Sequence, residues 1–141
     1  MLERALYNGV LSGVSLDGQT FFYENPLASL GRHHREKWFR VACCPPNIAR
    51  LFASLGQYIY TVNDTDIAVH LYMQNTAQMS VGGHAVSVRQ ETTYPWNGTI
   101  TLQLSMDKPA RFGLRLRIPG WCKDAQLRVN GEVFAIDRHL E

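Results

Sequence analysis

The sequence is poor in cysteine, in charge and in long apolar runs. Three cysteines in 141 residues are an odd count. Two of them, Cys43 and Cys44, are adjacent, and neighbours rarely meet disulfide geometry. A disulfide-stapled secreted scaffold is therefore excluded, and a reducing compartment, the cytoplasm, is the expected location. No apolar run approaches the roughly 20 residues of a membrane-spanning helix. Residues 1–13 carry Glu3 and Arg4 and no long apolar core, so they do not read as a secretory leader. Charged residues make up only 18% and the net charge is +2. The one dense cluster, Arg32-His33-His34-Arg35-Glu36-Lys37, is of mixed sign and reads as a solvated loop. Neither a nucleic-acid nor a membrane partner is expected. A glycine-rich phosphate cradle, a Ser-His-Asp order, a dinucleotide fingerprint and internal repeats are also missing.

What remains is enough to fold. Hydrophobic residues reach 45%, above the range of disordered chains. Leu2, Ala5, Leu6 and Val10 share a helical stripe that Gly13 should end. Asp17-Gly18 between apolar runs signals a hairpin, and residues 24–40 read as an irregular loop. A second helix is expected from Pro45-Pro46, because proline is tolerated where the N–H has no intrahelical partner. Ile48, Leu51, Phe52 and Leu55 mark its apolar face, and Gly56 its end.

Beyond Gly56 the period becomes that of strands. Tyr58–Val62 is β-rich. Ile67, Val69, Leu71 and Met73 alternate, as do Ala77, Met79 and Val81, Val86 and Val88, Ile100 to Met106, Phe112 to Ile118, and Leu127 and Val129. Asn63-Asp64, Gly82-Gly83, Tyr94-Pro95-Trp96-Asn97-Gly98 and Asn130-Gly131 interrupt them as turns. About seven short strands predict a mainly β chain with an antiparallel β-sandwich. The expected division is residues 1–56, two helices and a hairpin, and residues 57–141, the β unit. Two helices without a further layer cannot cover their apolar stripes, so the first part reads as the end of something larger.

The chemistry concentrates in Ala42-Cys43-Cys44-Pro45-Pro46-Asn47-Ile48-Ala49-Arg50. Cys44 is placed where a helix N-cap sits, and Pro45 biases it toward an extended backbone. Helix-terminal N–H groups and the dipole lower a thiol pKa there, favouring the nucleophilic and metal-binding thiolate. Inert packing is the competing reading, since cysteine is commonly a small buried hydrophobe. Two thiolates are half of a tetrahedral zinc site. His33, His34, Glu36 and Cys122 are the other donors within reach of the idea, and none has a recognised spacing to the pair. Cys122 reads as incidental, His33 and His34 as solvated, and His70 as a surface residue of a strand. Tyr72, Tyr94, Trp96 and Trp121 are candidate exposed rings for a binding face, with core packing as the alternative.

These residues come in a recognisable order. Glu3-Arg4-Ala5-Leu6-Tyr7-Asn8-Gly9 is followed by Ser15-Leu16-Asp17-Gly18, Phe22-Tyr23, Asn25-Pro26-Leu27 and Trp38-Phe39, then by the Cys-Cys-Pro-Pro-Asn string. Tyr94-Pro95-Trp96-Asn97-Gly98, Arg117-Ile118-Pro119-Gly120-Trp121 and Val129-Asn130-Gly131 lie downstream. The set resembles the β-L-arabinofuranosidases of glycoside hydrolase family 127 over nearly the whole length. The resemblance implies a C-terminal portion of a retaining exo-glycosidase, whose (α/α)6 barrel precedes β-sandwich domains. It implies Cys43 as catalytic nucleophile and Cys43 and Cys44 as zinc ligands. Tyr7 is a candidate substrate-lining residue. It implies zinc as cofactor and arabinofuranoside-containing glycans as partners. The remaining zinc ligands and the acid/base glutamate of the family have no counterpart in this sequence. The chain alone is therefore expected to be inactive, and its uncovered helical face is expected to drive self-association. The alternative is a carbohydrate-binding or oligomerisation module without catalysis.

Overall fold

The computed structural model describes residues 1–136; the last residues of the expected β unit, 137–141, lie outside the described range. The chain opens with α1, a composite helix. Leu2–Ala5 is α-helical, Leu6–Val10 a π turn and Leu11–Gly13 a 3₁₀ turn. It ends at Gly13 as expected, because Val14 is extended. Gly13 is also where α1 meets the second helix: a side chain there would lie 3.5 Å from the Ile48 methyl. The Asp17-Gly18 hairpin is reduced to a single bridge, Val14 to Phe21, and Phe21 bridges onward to Glu36. The turn keeps its backbone bonds, Ser15 N to the Thr20 carbonyl and Gly18 N to the Ser15 carbonyl, and side chains add to them, with Gln19 N donating to Asp17 Oδ1 and Thr20 N to Ser15 Oγ.

Helix α2 spans Cys44–Ser54 and runs on as a 3₁₀ turn, Leu55–Tyr58. Its cap is Cys43, one residue earlier than the sequence suggests. The reason is local. Asn47 N donates to the Cys43 carbonyl, closing the first turn. That bond outweighs the extended bias Pro45 places on Cys44.

Eight strands follow among the described residues. β1 (Tyr60–Val62), β2 (Asp66–Val69) and β6 (Gly113–Leu116) form one sheet in the order β1-β2-β6. β3 (Asn75–Val81), β4 (His84–Thr92) and β5 (Ile100–Met106) form an antiparallel meander. β7 (Leu127–Val129) and β8 (Glu132–Phe134) form a separate hairpin. Its Asn130-Gly131 turn has both φ values positive, at 52° and 89°, as two-residue hairpins require. The architecture is mainly β, with one departure from a purely antiparallel plan: β6 runs parallel to β2. The intervening meander supplies the long crossover that a parallel pair needs.

The core lies between the two three-stranded sheets. Ile67 from β2 meets Val81, Val86 and Val88 from β3 and β4, with Val62, Leu102, Phe112 and Leu114 packed around them. Within this apolar layer Gln90 is fully buried. Its Nε2 donates to Tyr60 OH (2.9 Å) and to the Leu71 carbonyl (3.2 Å), and Tyr60 OH donates to Asn75 Oδ1 (3.0 Å). Among residues 1–56 only Leu6, Gly13 and Pro45 are buried. The chain joining the two parts is short, and one link between them is remote in sequence: Glu3 of α1 pairs with Arg117 just after β6.

Candidate active site

The double proline sets the site. Pro45 and Pro46 sit in the first turn of α2, where two N–H groups would otherwise be orphaned. The turn carries both thiols at its start, with the two sulfurs 3.7 Å apart. Cys43 is exposed and Cys44 half-buried. Neither thiol is sealed in the apolar core of the described residues.

A third group completes the cluster. Tyr23 OH lies 3.3 Å from Cys43 Sγ. The Tyr23 ring is propped edge-on against Phe39 at 5.2 Å between centroids, and Asn25 ties this loop to α1 by donating to the Gly9 carbonyl and Ser12 Oγ. The Tyr23 hydroxyl, followed by the Cys44 thiol, pulls the Cys43 pKa below the ordinary thiol range. The same contacts push Tyr23 and Cys44 upward. One sulfur is thus set to ionise first, with its neighbours as donors. Tyr23 carries no sequence signal for this role. It stands 20 residues from Cys43 and only the folded loop brings it back.

The sulfur spacing suits a shared metal. Two thiolates on one tetrahedral zinc, each at about 2.3 Å, stand roughly 3.8 Å apart. The other donors weighed from the sequence do not join them. His33 stacks on Phe22 and hydrogen-bonds through Nε2 to the Glu24 carbonyl. The Glu36 backbone pairs with that of Phe21. Cys122 sits in a turn closed by its own N–H to the Pro119 carbonyl. No group of three or more His, Cys, Asp or Glu among the described residues is arranged to hold a metal.

Tyr7 stands elsewhere. The cleft beside Cys44, about 280 Å³, is lined by Tyr23, Asn25, Asn47 and Ile48. Tyr7 lines a larger cleft of about 1020 Å³ between α1 and the β unit. There its ring meets Tyr94 edge-on at 6.4 Å, and Tyr94 meets Tyr72 at 6.1 Å. Burial, followed by a hydrogen bond to Glu3, pushes the Tyr94 pKa up to about 12. Of the four rings proposed as exposed, Tyr72 is buried at 6% exposure, its hydroxyl donating to the Arg117 carbonyl at 2.6 Å. Tyr94 is half-buried, whereas Trp96 and Trp121 are open to solvent. His70 is at the surface as expected, paired with Thr61 Oγ1.

With this geometry in hand, known proteins give consistent matches. Residues 1–57 match a family model described as the β-L-arabinofuranosidase GH127 catalytic domain, and residues 66–140 one described as the GH127 middle domain. These matches put the chain among the glycoside hydrolases. It belongs to the β-L-arabinofuranosidase family GH127. A non-reducing end β-L-arabinofuranosidase of Bifidobacterium longum is 40% identical across 94% of this chain. The crystal structure of a GH127 β-L-arabinofuranosidase from Geobacillus stearothermophilus T6 superposes with a TM-score of 0.86 at 47% identity over 95% of the chain. A second solved GH127 β-arabinofuranosidase gives 0.85 at 41% identity over 98% of the chain. The chain spans 22% of the length of the first of these relatives, 23% of the second and 24% of the third.

Proposed function

We propose that this chain contributes the thiolate half of a retaining arabinofuranosidase site, with Cys43 as nucleophile and Cys43 and Cys44 as two ligands of a zinc ion. The observation that carries it is the sulfur pair 3.7 Å apart, with Tyr23 OH 3.3 Å from the more exposed sulfur. Zinc, when bound, would supply charge that keeps the thiols ionised and in place. The substrate class is β-linked L-arabinofuranosides, in line with the relatives' names. Cys43 Sγ attacks the anomeric carbon and forms a C–S bond as the glycosidic C–O bond breaks. The leaving oxygen takes its proton from a carboxylic acid supplied by polypeptide outside this sequence. Water, giving its proton to that same carboxylate, then displaces the sulfur as a thiolate from the opposite face, so configuration is retained after two inversions. Tyr23 donates toward the sulfur while it is anionic.

In this reading residues 1–56 are the end of an (α/α)6 catalytic barrel and the β unit is the following sandwich. The scarcity of buried residues in the first part supports that division. A cytoplasmic, reducing setting would keep the thiols free. No helix among the described residues is long and apolar enough to cross a membrane. Leu2, Leu11, Phe52 and Trp38 expose apolar surface, so the isolated chain self-associates; a light-scattering mass of one chain would contradict this. The isolated chain does not hydrolyse a chromogenic β-L-arabinofuranoside, because it lacks the acid. Turnover by the isolated chain that Cys43→Ala abolishes would show that the missing groups are supplied within it or by a second copy. In a longer protein carrying these residues, Cys43→Ala removes activity; unchanged turnover there would refute the assignment.

A further inference from the structure

We propose that Asn97-Gly98, in the link between β4 and β5, is a self-modification site. With water as its only co-reactant it converts Asn97 to aspartate and isoaspartate, ahead of the other Asn-Gly steps of the chain.

The sequence holds three such steps, Asn8-Gly9, Asn97-Gly98 and Asn130-Gly131. In each, the peptide nitrogen that can attack the asparagine carboxamide belongs to glycine, which puts no side chain in the way. The sequence alone therefore does not rank them, and the fold does. Asn8 lies in the π turn Leu6–Val10, and the Gly9 carbonyl is held by Ser12 Oγ and Asn25 Nδ2. A hydrogen-bonded helical turn cannot swing the Gly9 nitrogen toward the Asn8 side chain. Asn130 has φ 52°, and the flanking pair Val129 to Glu132 fixes that turn. A left-handed backbone carries the next nitrogen to the side opposite Cβ, so Gly131 N is turned away from the Asn130 carboxamide.

At Asn97 neither restraint applies. Asn97 and Gly98 are exposed and lie outside both strands. Among the described residues nothing is hydrogen-bonded to the Gly98 N–H. The loop is held on either side, by Trp96 N to the Thr93 carbonyl at 3.0 Å and by Thr92 Oγ1 to the Thr99 carbonyl at 2.8 Å. The peptide between Asn97 and Gly98 is left to rotate. Thr99 N donates to Asn97 Oδ1 at 2.8 Å. This bond folds the carboxamide forward across the Gly98 peptide. It also polarises the carbonyl under attack. Negative charge develops on Oδ1 in the addition step, and a donor already in place stabilises it.

The chemistry balances with water alone. Gly98 N gives up its proton to hydroxide and bonds to Asn97 Cγ. The Cγ–Nδ2 bond then breaks, and ammonia leaves with a proton from water, closing a cyclic imide. Water reopens the imide at either carbonyl. Cleavage at Cγ gives aspartate on the original chain path, whose carboxylate still accepts from Thr99 N. Cleavage at the main-chain carbonyl gives isoaspartate, with the backbone lengthened through Cβ and Cγ. Either product lowers the net charge of +2 by one. The longer backbone falls just before Ile100, which pairs with Thr92, so its effect should be local to the loop.

The test is incubation of the chain in mildly alkaline buffer, followed by peptide mapping with mass spectrometry. Asn97 should convert about tenfold faster than Asn8 or Asn130. It should yield two products of equal mass that separate by chromatography. Asn97→Gln should abolish both. A Cβ at Gly98 would meet nothing within 4 Å, so Gly98→Ala should keep the parent circular dichroism while its methyl group slows the reaction about tenfold. In urea the three steps of the parent chain should approach a common rate. Equal or faster conversion at Asn8 or Asn130 in the folded chain overturns the proposal. So does a failure of Asn97 to react over a period in which the urea-unfolded chain converts. Aspartate as the sole product would mean direct attack by water, and an unchanged rate in Gly98→Ala would mean the same; either overturns the role of Gly98. A ranking that persists in urea overturns the role of the fold.

Discussion

Arg117 Nη2 lies 2.7 Å from Glu3 Oε1, bridging 114 residues of sequence. The two side chains are 29% and 16% exposed. This pair, with the Tyr7, Tyr72 and Tyr94 rings around it, joins the helical segment to the β unit.

Arg117→Met should therefore undock α1 while sparing the core. Breaking one side of a fully buried pair costs roughly 3–5 kcal/mol. With partial exposure we expect about 2 kcal/mol, the scale of one charged hydrogen bond lost. Hydrogen exchange should quicken at the α1 amides, Leu2–Gly13, and stay slow at Val86 and Val88. Uniform loss of protection would mean the pair supports the whole fold instead.

The thiol pair makes a chemical prediction. Cys43 is exposed while Cys44 and Cys122 are half-buried, so iodoacetamide should label Cys43 first, about tenfold faster than Cys122. Peptide mapping at partial labelling reads this directly. Faster labelling of Cys122 would remove the geometric case for Cys43 as nucleophile.

Metal affinity should be weak in the isolated chain. Two sulfurs are about half of a closed zinc site, and no third donor joins them among the described residues. Titrated cobalt should give a thiolate charge-transfer band that disappears in Cys44→Ser, and zinc should be lost on gel filtration. One zinc per chain surviving that step would show that the site is complete without further polypeptide.

Gly113 pairs with Asp66 in the parallel register of β2 and β6. A Cβ at Gly113 would overlap Asp66 Oδ1. The carboxylate cannot swing away freely, because Thr65 Oγ1 at 2.7 Å and Arg115 Nη2 at 3.3 Å hold its other oxygen. Gly113→Ala should cost about 2 kcal/mol in urea unfolding, within the usual range for overpacking. A neutral result would mean the carboxylate is free to turn.

The same carboxyl has a pH signature. The Thr65 hydroxyl, followed by Arg115, holds Asp66 below the ordinary carboxylate range. Its folded pKa is then below the unfolded value of about 3.9. The stabilisation is present above that value and is lost as pH falls through the folded pKa. Asp66→Asn should thus narrow the stability gap between about pH 6 and about pH 3. An unchanged gap would show that other carboxyls dominate acid unfolding.

Much of the fold was legible because strand period and turn chemistry are local. Alternation at Ala77 to Val81, Val86 and Val88, and Ile100 to Met106 marked β3, β4 and β5, and Asn130-Gly131 marked the last hairpin. The parallel β2–β6 pair was not legible, since nothing in either strand encodes its partner's direction. The first strand alternation also ran too far: Leu71 and Tyr72 follow β2 as buried coil. Their burial comes from packing against remote segments, which period alone does not report.

The sequence by itself determined the thiol pair and the helix start that carries it, because proline, capping and i+4 bonding act within one turn. It determined the family too, through the order of its short motifs. Only tertiary structure decided that Tyr23 meets Cys43, that Arg117 meets Glu3, and that Tyr7 faces a different cleft from the sulfurs. Those contacts span 20 to 114 residues. Tyr23 is carried to Cys43 by a loop that Asn25 ties to α1, and Arg117 reaches Glu3 from the segment that follows β6.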